Sequence, residues 1–183
     1  MIADVELRRL ETFDMVRIRG FFESLGEGDR TFVRAAVLRP GVIESWIDNA
    51  GTARDRRYLA VVDGEIVGYL AVLPDIDWSA HVAAVRIVVH PAHRRRGIAT
   101  TLARHAVVIA ARDGIRKLVV EVLAHEDATI AMFTGLGFEA EGLLREHVIS
   151  TAGQSYDVLV LAHFVDQLYE TMATVGMSEG VTR

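Results

Sequence analysis

The chain has 183 residues, of which 51% are hydrophobic and 25% charged, and its formal net charge at pH 7 is −5. This composition is typical of a globular domain with a full hydrophobic core, and it excludes a disordered or fibrous chain. The sequence contains no cysteine, which excludes disulfides, cysteine-ligated zinc or iron–sulfur sites and a thiol nucleophile.

The first half of the chain predicts one strand, three helices and a β-hairpin. Asp63-Gly64 lies between two β-rich runs, and this pair is typical of a type I′ turn, because both central residues of that turn need positive φ. Periodicity and breakers predict a strand at 5–10, helices at 14–25, 30–38 and 42–49, and strands at 58–62 and 65–73.

The second half predicts a strand–helix–strand crossover followed by a further strand pair. The elements are strands at 81–90 and 118–124 around a helix at 97–112, a helix at 127–136, strands at 143–149 and 156–163, and a closing helix at 165–172. An antiparallel hairpin before a crossover indicates an α/β (α+β) fold. Its sheet is mixed and largely antiparallel, with helices on both faces.

We expect one domain over residues 1–176 and a flexible tail at 177–183, where apolar periodicity is lost. No uncharged apolar run reaches the roughly 20 residues of a membrane-spanning helix, and the N-terminal segment lacks the apolar core of a secretory signal. The acidic balance argues against nucleic-acid binding. A cytoplasmic protein with neither a membrane nor a nucleic-acid partner is therefore expected.

The most informative stretch is VRIVVHPAHRRRGIATTL, residues 85–102, in which a strand leads through an arginine-rich turn into a helix. The first N–H groups of a helix lack acceptors and carry partial positive charge. Gly97 lets a ligand approach the main chain, and Arg94, Arg95 and Arg96 add charge. The pattern predicts a pyrophosphate socket; an ordinary solvated arginine loop is the alternative.

Within this stretch, PAHRRRGIA resembles the acyl-CoA pyrophosphate loop of the GNAT superfamily of N-acyltransferases, as Arg94-x-x-Gly97-x-Ala99. EVLAHEDATIAMFTGLGFEAEG, residues 121–142, is similar to that family's second signature. The resemblance implies direct transfer of an acetyl group from acetyl-CoA to a primary amine, without a metal. The alternative is a non-catalytic acyl-CoA-binding or regulatory module on the same fold.

The resemblance also implies a fold in which the two central parallel strands, 81–90 and 118–124, splay apart around the cofactor. Main-chain groups of Val88 and Val89 would pair with the pantetheine arm, and the Val89 amide would stabilise charge on the thioester oxygen. The implied cofactor-binding residues are Val88, Val89, Arg94, Arg95, Arg96, Gly97, Ile98, Ala99, Thr100, Glu126 and Phe133.

Two residues are candidates for the base that deprotonates the amine. Glu121 matches a position where some family members carry a glutamate that acts on the amine. His81 is two residues from Ala83 and so would share its face of the strand; other members carry a glutamate that acts as the general base at the position of Ala83. Each residue also has an alternative role that is not catalytic. Glu121 could be a structural glutamate bonded to a neighbouring strand or to the substrate, and His81 could be a histidine at the rim of the site.

Two positions depart from the family pattern. Phe133 stands where many relatives have a tyrosine that acts as the general acid. Either water, Tyr69 or Tyr156 protonates the leaving thiolate instead, or catalysis is weak. Glu126 replaces an asparagine that touches the cofactor in relatives, and a carboxylate there offers only acceptors.

Asp75 and Asp77 follow the third strand and are candidates for binding a cationic amine acceptor, although acidic loops are usually just solvated. The acceptor is either a small molecule or a peptide or protein. A homodimer is possible, since this fold often pairs through its C-terminal strands.

Overall fold

Seven strands form one mixed sheet in the order β1-β2-β3-β4-β5-β7-β6. The computed structural model describes residues 5–31, 37–49, 56–150 and 152–165. The strands are β1 (Glu6–Arg9), β2 (Arg56–Val62), β3 (Glu65–Pro74), β4 (Val82–Val89), β5 (Lys117–Leu123), β6 (Glu139–Ile149) and β7 (Ser155–Phe164). The helices are α1 (Met15–Ser24), α2 (Glu27–Thr31), α3 (Val42–Asp48), α4 (Ile98–Asp113) and α5 (Asp127–Thr134).

The predicted single-domain α/β fold, with a mixed and largely antiparallel sheet, is confirmed. Every neighbouring pair is antiparallel except β4 and β5. The predicted hairpin also forms, with φ of 49° at Asp63 and 80° at Gly64. No helix in the described ranges is long and apolar enough to cross a membrane.

The sheet carries a hydrophobic cluster on each face. Leu102, Ala106 and Ile109 of α4 pack with Phe133 of α5 on one face. Ile18 and Phe22 of α1 pack with Trp46 of α3 on the other. Because side chains alternate along a strand, the odd-numbered residues of β4 face α4 and the even-numbered ones face the α1 side, as Val85 and Val88 illustrate.

The parallel pair β4 and β5 separates soon after it begins. Ladder pairing joins only Val82–Ala84 to Lys117–Val119. Beyond that point β4 stays paired with β3, and β5 stays paired with β7. The two strands therefore diverge towards their carboxyl ends, as the family resemblance implied.

Three predicted elements differ from the structure or fall partly outside it. The helix expected at 30–38 overlaps α2, which begins earlier at Glu27, only at residues 30 and 31. Val37 and Leu38 form a turn, and residues 32–36 lie outside the described ranges. Beyond Val165, the closing helix and the tail at 177–183 also lie outside them. Strand β6 begins at Glu139, earlier than predicted. It is a largely exposed edge strand whose register shifts twice, so the alternation of apolar and polar residues that would reveal its start in the sequence is weak.

Gly68 of β3 allows α4 to pack directly on the sheet beside the end of β4. A Cβ at Gly68 would lie 3.1 Å from Ala60 Cβ, 3.1 Å from Leu102 Cδ1 and 3.3 Å from Ile98 Cγ2. Gly68 is also the register partner of Val89. The close approach therefore fixes the first turn of α4 next to the last residue of β4.

We predict that Gly68→Ala lowers the free energy of unfolding by about 1–3 kcal/mol relative to Gly142→Ala, because only the methyl group added at Gly68 overpacks the core. A methyl group at Gly142 meets nothing within 4 Å, so that strand variant is the matched control. Urea unfolding of both proteins measures the difference. Equal stability of the two variants would contradict the close packing.

His105 of α4 packs edge-on against Tyr58, with ring centroids 4.6 Å apart. Its Nε2 atom is buried and has no hydrogen-bond partner among the described residues. Burial, with a smaller contribution from the nearby Arg112, lowers the pKa of His105 below its ordinary value. The folded protein therefore disfavours the charged imidazolium.

The free energy of unfolding should consequently fall as the pH drops below about 6.5, the ordinary pKa of histidine. In that range His105 binds a proton in the unfolded chain but remains largely neutral in the folded protein. The slope contributed by this residue is at most about 1.4 kcal/mol per pH unit. His105→Phe keeps the aromatic ring and removes the titration. Chemical denaturation between pH 7.5 and 5.5 should show a shallower loss for the variant; parallel curves would contradict the assignment.

Candidate active site

Helix α4 begins with an open N-terminus at the end of β4. Gly97 is the N-cap residue with φ of 79°, and no side chain caps the helix there. The N–H groups of Ile98, Ala99 and Thr100 precede the first intrahelical bond, which runs from Thr101 N to Gly97 O at 2.9 Å. Its left-handed φ favours glycine, and a Cβ on Gly97 would meet nothing within 4 Å, so the space in front of the helix is open.

Arg94 holds the arginine turn against the strand. Its Nε donates to Val89 O at 3.2 Å, and its guanidinium forms an ion pair with Asp29. Arg95 is exposed with φ of 62°. The three arginines therefore differ in their environment. Arg94 and Arg95 both line the adjoining cleft, Arg94 being anchored by its two contacts, and Arg96 is exposed outside it.

A cleft of about 560 Å³ occupies the space between the diverging strands, a size ordinary for small-molecule sites. Its walls are residues 85–89 of β4 and 120–122 of β5. The first turn of α4 and one side of α5 close it. The open N-terminus of α4 and the strand walls therefore belong to one continuous cavity.

Main-chain groups of β4 point into this cleft. His90 N donates to Val67 O at 2.9 Å, so the even-numbered residues bond to β3. His81 O accepts from Lys117 N at 3.1 Å, so the odd-numbered residues face β5. Since β5 has diverged, the N–H groups of Val85, Ile87 and Val89 are directed into the cleft.

This register corrects the expectation for Val88. Its main chain bonds to its register partner Tyr69 of β3 and is not available for a main-chain contact in the cleft. Ile87, which the sequence prediction omitted, presents its main chain there instead. The Val89 N–H faces the cleft as expected, while its carbonyl is occupied by Arg94.

A charged pair crosses the cleft on its α1 side. Arg86 Nη2 lies 3.8 Å from Glu121 Oε2, and the two side chains are 15% and 21% exposed. Arg86 Nη1 also donates to Val85 O at 3.2 Å. Glu121 alternates with Val120 and Val122, which are buried in the main core, so its carboxylate faces away from α4.

The structure brings most of the predicted site residues to this one cavity. The residues that line it are Val88, Val89, Arg94, Arg95, Gly97, Ile98, Ala99, Thr100, Glu121, Glu126 and Phe133. Glu126 is the residue before α5, and Thr129 Oγ1 donates to its carboxylate at 3.4 Å. Phe133 is 3% exposed and packs on Phe138 at a centroid distance of 5.1 Å.

Four predicted residues, Arg96, His81, Asp75 and Asp77, do not line the cleft. His81 is exposed and precedes β4, at the end where β4 and β5 are still paired. Asp75 N donates to Val82 O at 2.9 Å, which places the acidic loop at that same end. Because β3 and β4 are antiparallel, this loop lies at the opposite end of the sheet from the arginine turn.

Sequence reasoning missed Asp29 and Arg86 as cleft residues. Arg86 had a signal, since a lone charge within an apolar strand is expensive to bury without a partner. Asp29 had none, because its position depends on how α2 folds back onto the arginine turn. Among the described residues, no group of three or more His, Asp or Glu side chains forms a potential metal site.

Comparisons with known proteins agree with this geometry. The sequence model described as the acetyltransferase (GNAT) family matches residues 22–138. The chain therefore belongs to the GNAT family of acetyltransferases. It is 28% identical over 152 residues to streptothricin acetyltransferase of Streptomyces lavendulae, covering 77% of this chain and 80% of that protein.

Solved structures share the fold. A GNAT acetyltransferase from Streptococcus pneumoniae superposes with a TM-score of 0.75 at 20% identity, covering 88% of this chain and 99% of that one. The protein yncA from Salmonella typhimurium, solved with its cofactor acetyl-CoA, gives 0.73 at 17% identity, covering 89% of this chain and 95% of that one.

We predict that Gly97→Ala weakens coenzyme A binding by roughly tenfold, which corresponds to about 1.4 kcal/mol, because the methyl group enters the open space before the helix amides. Gly114→Ala is the matched control. Gly114 ends the same helix with φ of 72° and also has open space around its Cβ, so both variants carry a similar backbone strain of about 1 kcal/mol. Calorimetry with coenzyme A should separate them, and equal affinities would contradict the site.

Proposed function

We propose that the protein is an acetyl-CoA-dependent N-acetyltransferase that acts on a primary amine of a small molecule or of a peptide or protein. The observation that carries this proposal is the cleft between β4 and β5, which runs without interruption to the open N-terminus of α4. A strand edge and a helix end in one cavity suit a ligand that has both an amide-containing arm and a diphosphate.

The residues of this cavity fit acetyl-CoA. The first-turn amides of α4 and the Arg95 guanidinium would hold the diphosphate, and cleft-facing main-chain groups near the end of β4 would bond to the pantetheine amides. When bound, acetyl-CoA supplies an activated acetyl thioester. No bound metal is needed for such a transfer.

Glu121 would act as the general base. An amine attacks only in its neutral form, so a proton must leave the ammonium ion, and a carboxylate in the cleft can accept it directly or through water. The N–H of Val89 or of Ile87 would stabilise the charge that develops on the carbonyl oxygen. Ile87 is the nearer in register to the level of Glu121.

We infer that none of the three described candidates, Phe133, Tyr69 and Tyr156, protonates the leaving thiolate. Phe133 cannot donate a proton, Tyr69 is stacked on Trp46 in the other core, and Tyr156 donates to Gln154 at 2.8 Å. A thiol has an ordinary pKa of about 8.5, so its thiolate can leave near neutral pH and take a proton from water.

Two observations bear on the choice between activities. The likeness to streptothricin acetyltransferase supports a small-molecule acceptor. The buried Phe133, in place of an acid, favours the alternative of a non-catalytic acyl-CoA-binding module on the same fold.

Replacing Glu121 by Gln keeps the shape and removes the base, so we expect kcat to fall by about 10²-fold or more. His81→Ala should have little effect because His81 lies outside the cleft. Release of free thiol from acetyl-CoA with a panel of amines gives the rates. A slow His81→Ala protein beside a normal Glu121→Gln protein would overturn the assignment, and tight acetyl-CoA binding without turnover would support the non-catalytic module.

A further inference from the structure

The Arg86–Glu121 pair indicates the chemical class of the acceptor, which the proposed function leaves open. Resting on that function, we propose that the pair recognises an amine with a carboxylate on the adjacent carbon, that is, an α-amino acid. Glu121 would receive the ammonium group and Arg86 the carboxylate.

Strand register places the two side chains opposite each other. The last ladder pair of β4 and β5 is Ala84 with Val119, so continuing the register two residues brings Arg86 level with Glu121. Both line the cleft and lie on its α1 side. Their charged ends meet where the main chains have already separated.

The spacing of the pair is comparable with that between the ammonium and carboxylate groups of one α-amino acid. The Nη2 to Oε2 distance of 3.8 Å is longer than an N–H···O hydrogen bond of about 2.7–3.2 Å. A guanidinium has five N–H donors in a planar fork that matches a carboxylate. An amino acid that lies alongside the pair would therefore place its carboxylate at Arg86 and its ammonium group at Glu121.

The charge pattern disfavours an acceptor that is purely cationic. Each acidic residue that lines the cleft has a partner in the protein: Glu121 has Arg86, Asp29 pairs with Arg94, and Glu126 accepts from Thr129. A polyamine would therefore meet a fixed cation, Arg86, beside the carboxylate that receives its amine, and like charges in such a site are costly.

The neighbours of Glu121 on this face indicate an apolar amino acid. Val160 is the register partner of Glu121 on β7, and Val119 and Leu123 flank it two residues away on the same face. All three are apolar and partly buried. They lie beside Glu121, outside the cleft lining itself, and would contact an acceptor side chain that extends past Glu121 over β5 and β7.

The test compares matched acceptors that differ only in the carboxylate: L-leucine with 3-methylbutylamine, and L-phenylalanine with 2-phenylethylamine. We expect wild-type kcat/KM to favour each amino acid by roughly tenfold or more. Arg86→Met should abolish that preference by raising the KM for the amino acid, and Arg86→Lys should restore part of it. Arg104→Met, which changes an exposed arginine on α4, should keep the wild-type preference.

A binding measurement separates recognition from turnover. Calorimetry of the protein loaded with coenzyme A should detect L-leucine binding in the wild type and a loss of roughly tenfold or more in Arg86→Met, with unchanged affinity for coenzyme A. Turnover of the amines at the same kcat/KM as the amino acids would overturn the inference alone. So would an equal loss on both acceptors in Arg86→Met. Absence of turnover with every acceptor, despite bound L-leucine, would overturn the proposed function and leave recognition standing.

Discussion

The separation of β4 from β5 is the constraint on which the site depends. After three ladder pairs the strands part, and the odd-numbered residues of β4 lose the partner that would satisfy their main chain. Unpaired N–H and C=O groups inside a protein are costly, so this arrangement is stable only where water or a ligand completes the bonds. The same divergence opens the cavity that ends at Gly97.

Local packing keeps the cleft walls in position. The missing side chain at Gly68 lets α4 press onto β3, which sets the helix amides at the end of β4. Arg94 bonds the carbonyl of Val89 and so ties the arginine turn to that strand. On the other side, β7 pairs with β5 along seven residues from Lys117 to Leu123 and holds that wall while β4 departs.

Local patterns carried much of the sequence prediction. Asp63-Gly64 predicted the hairpin because both residues readily adopt positive φ. The arginine turn before Gly97 predicted an open helix N-terminus. Properties that depend on pairing were harder to predict. Whether Val88 or Ile87 presents its main chain to the cleft depends on the register with β3, and the contact of Arg86 with Glu121 depends on two strands separated by a helix. His81 was predicted from its alternation along β4, but it lies at the start of that strand, away from the cleft at the other end. The roles of the cleft residues and the homodimer remain predictions.

An amide-resolved NMR titration tests the central claim most directly, because the claim concerns main-chain groups. Coenzyme A should shift the amide signals of Ile98, Ala99 and Thr100 together with those of Ile87 and Val89, whereas pantetheine, which lacks the diphosphate, should move only the strand signals. Coenzyme A shifts that leave the first turn of α4 unaffected, or equal affinity for the two ligands, would contradict the account.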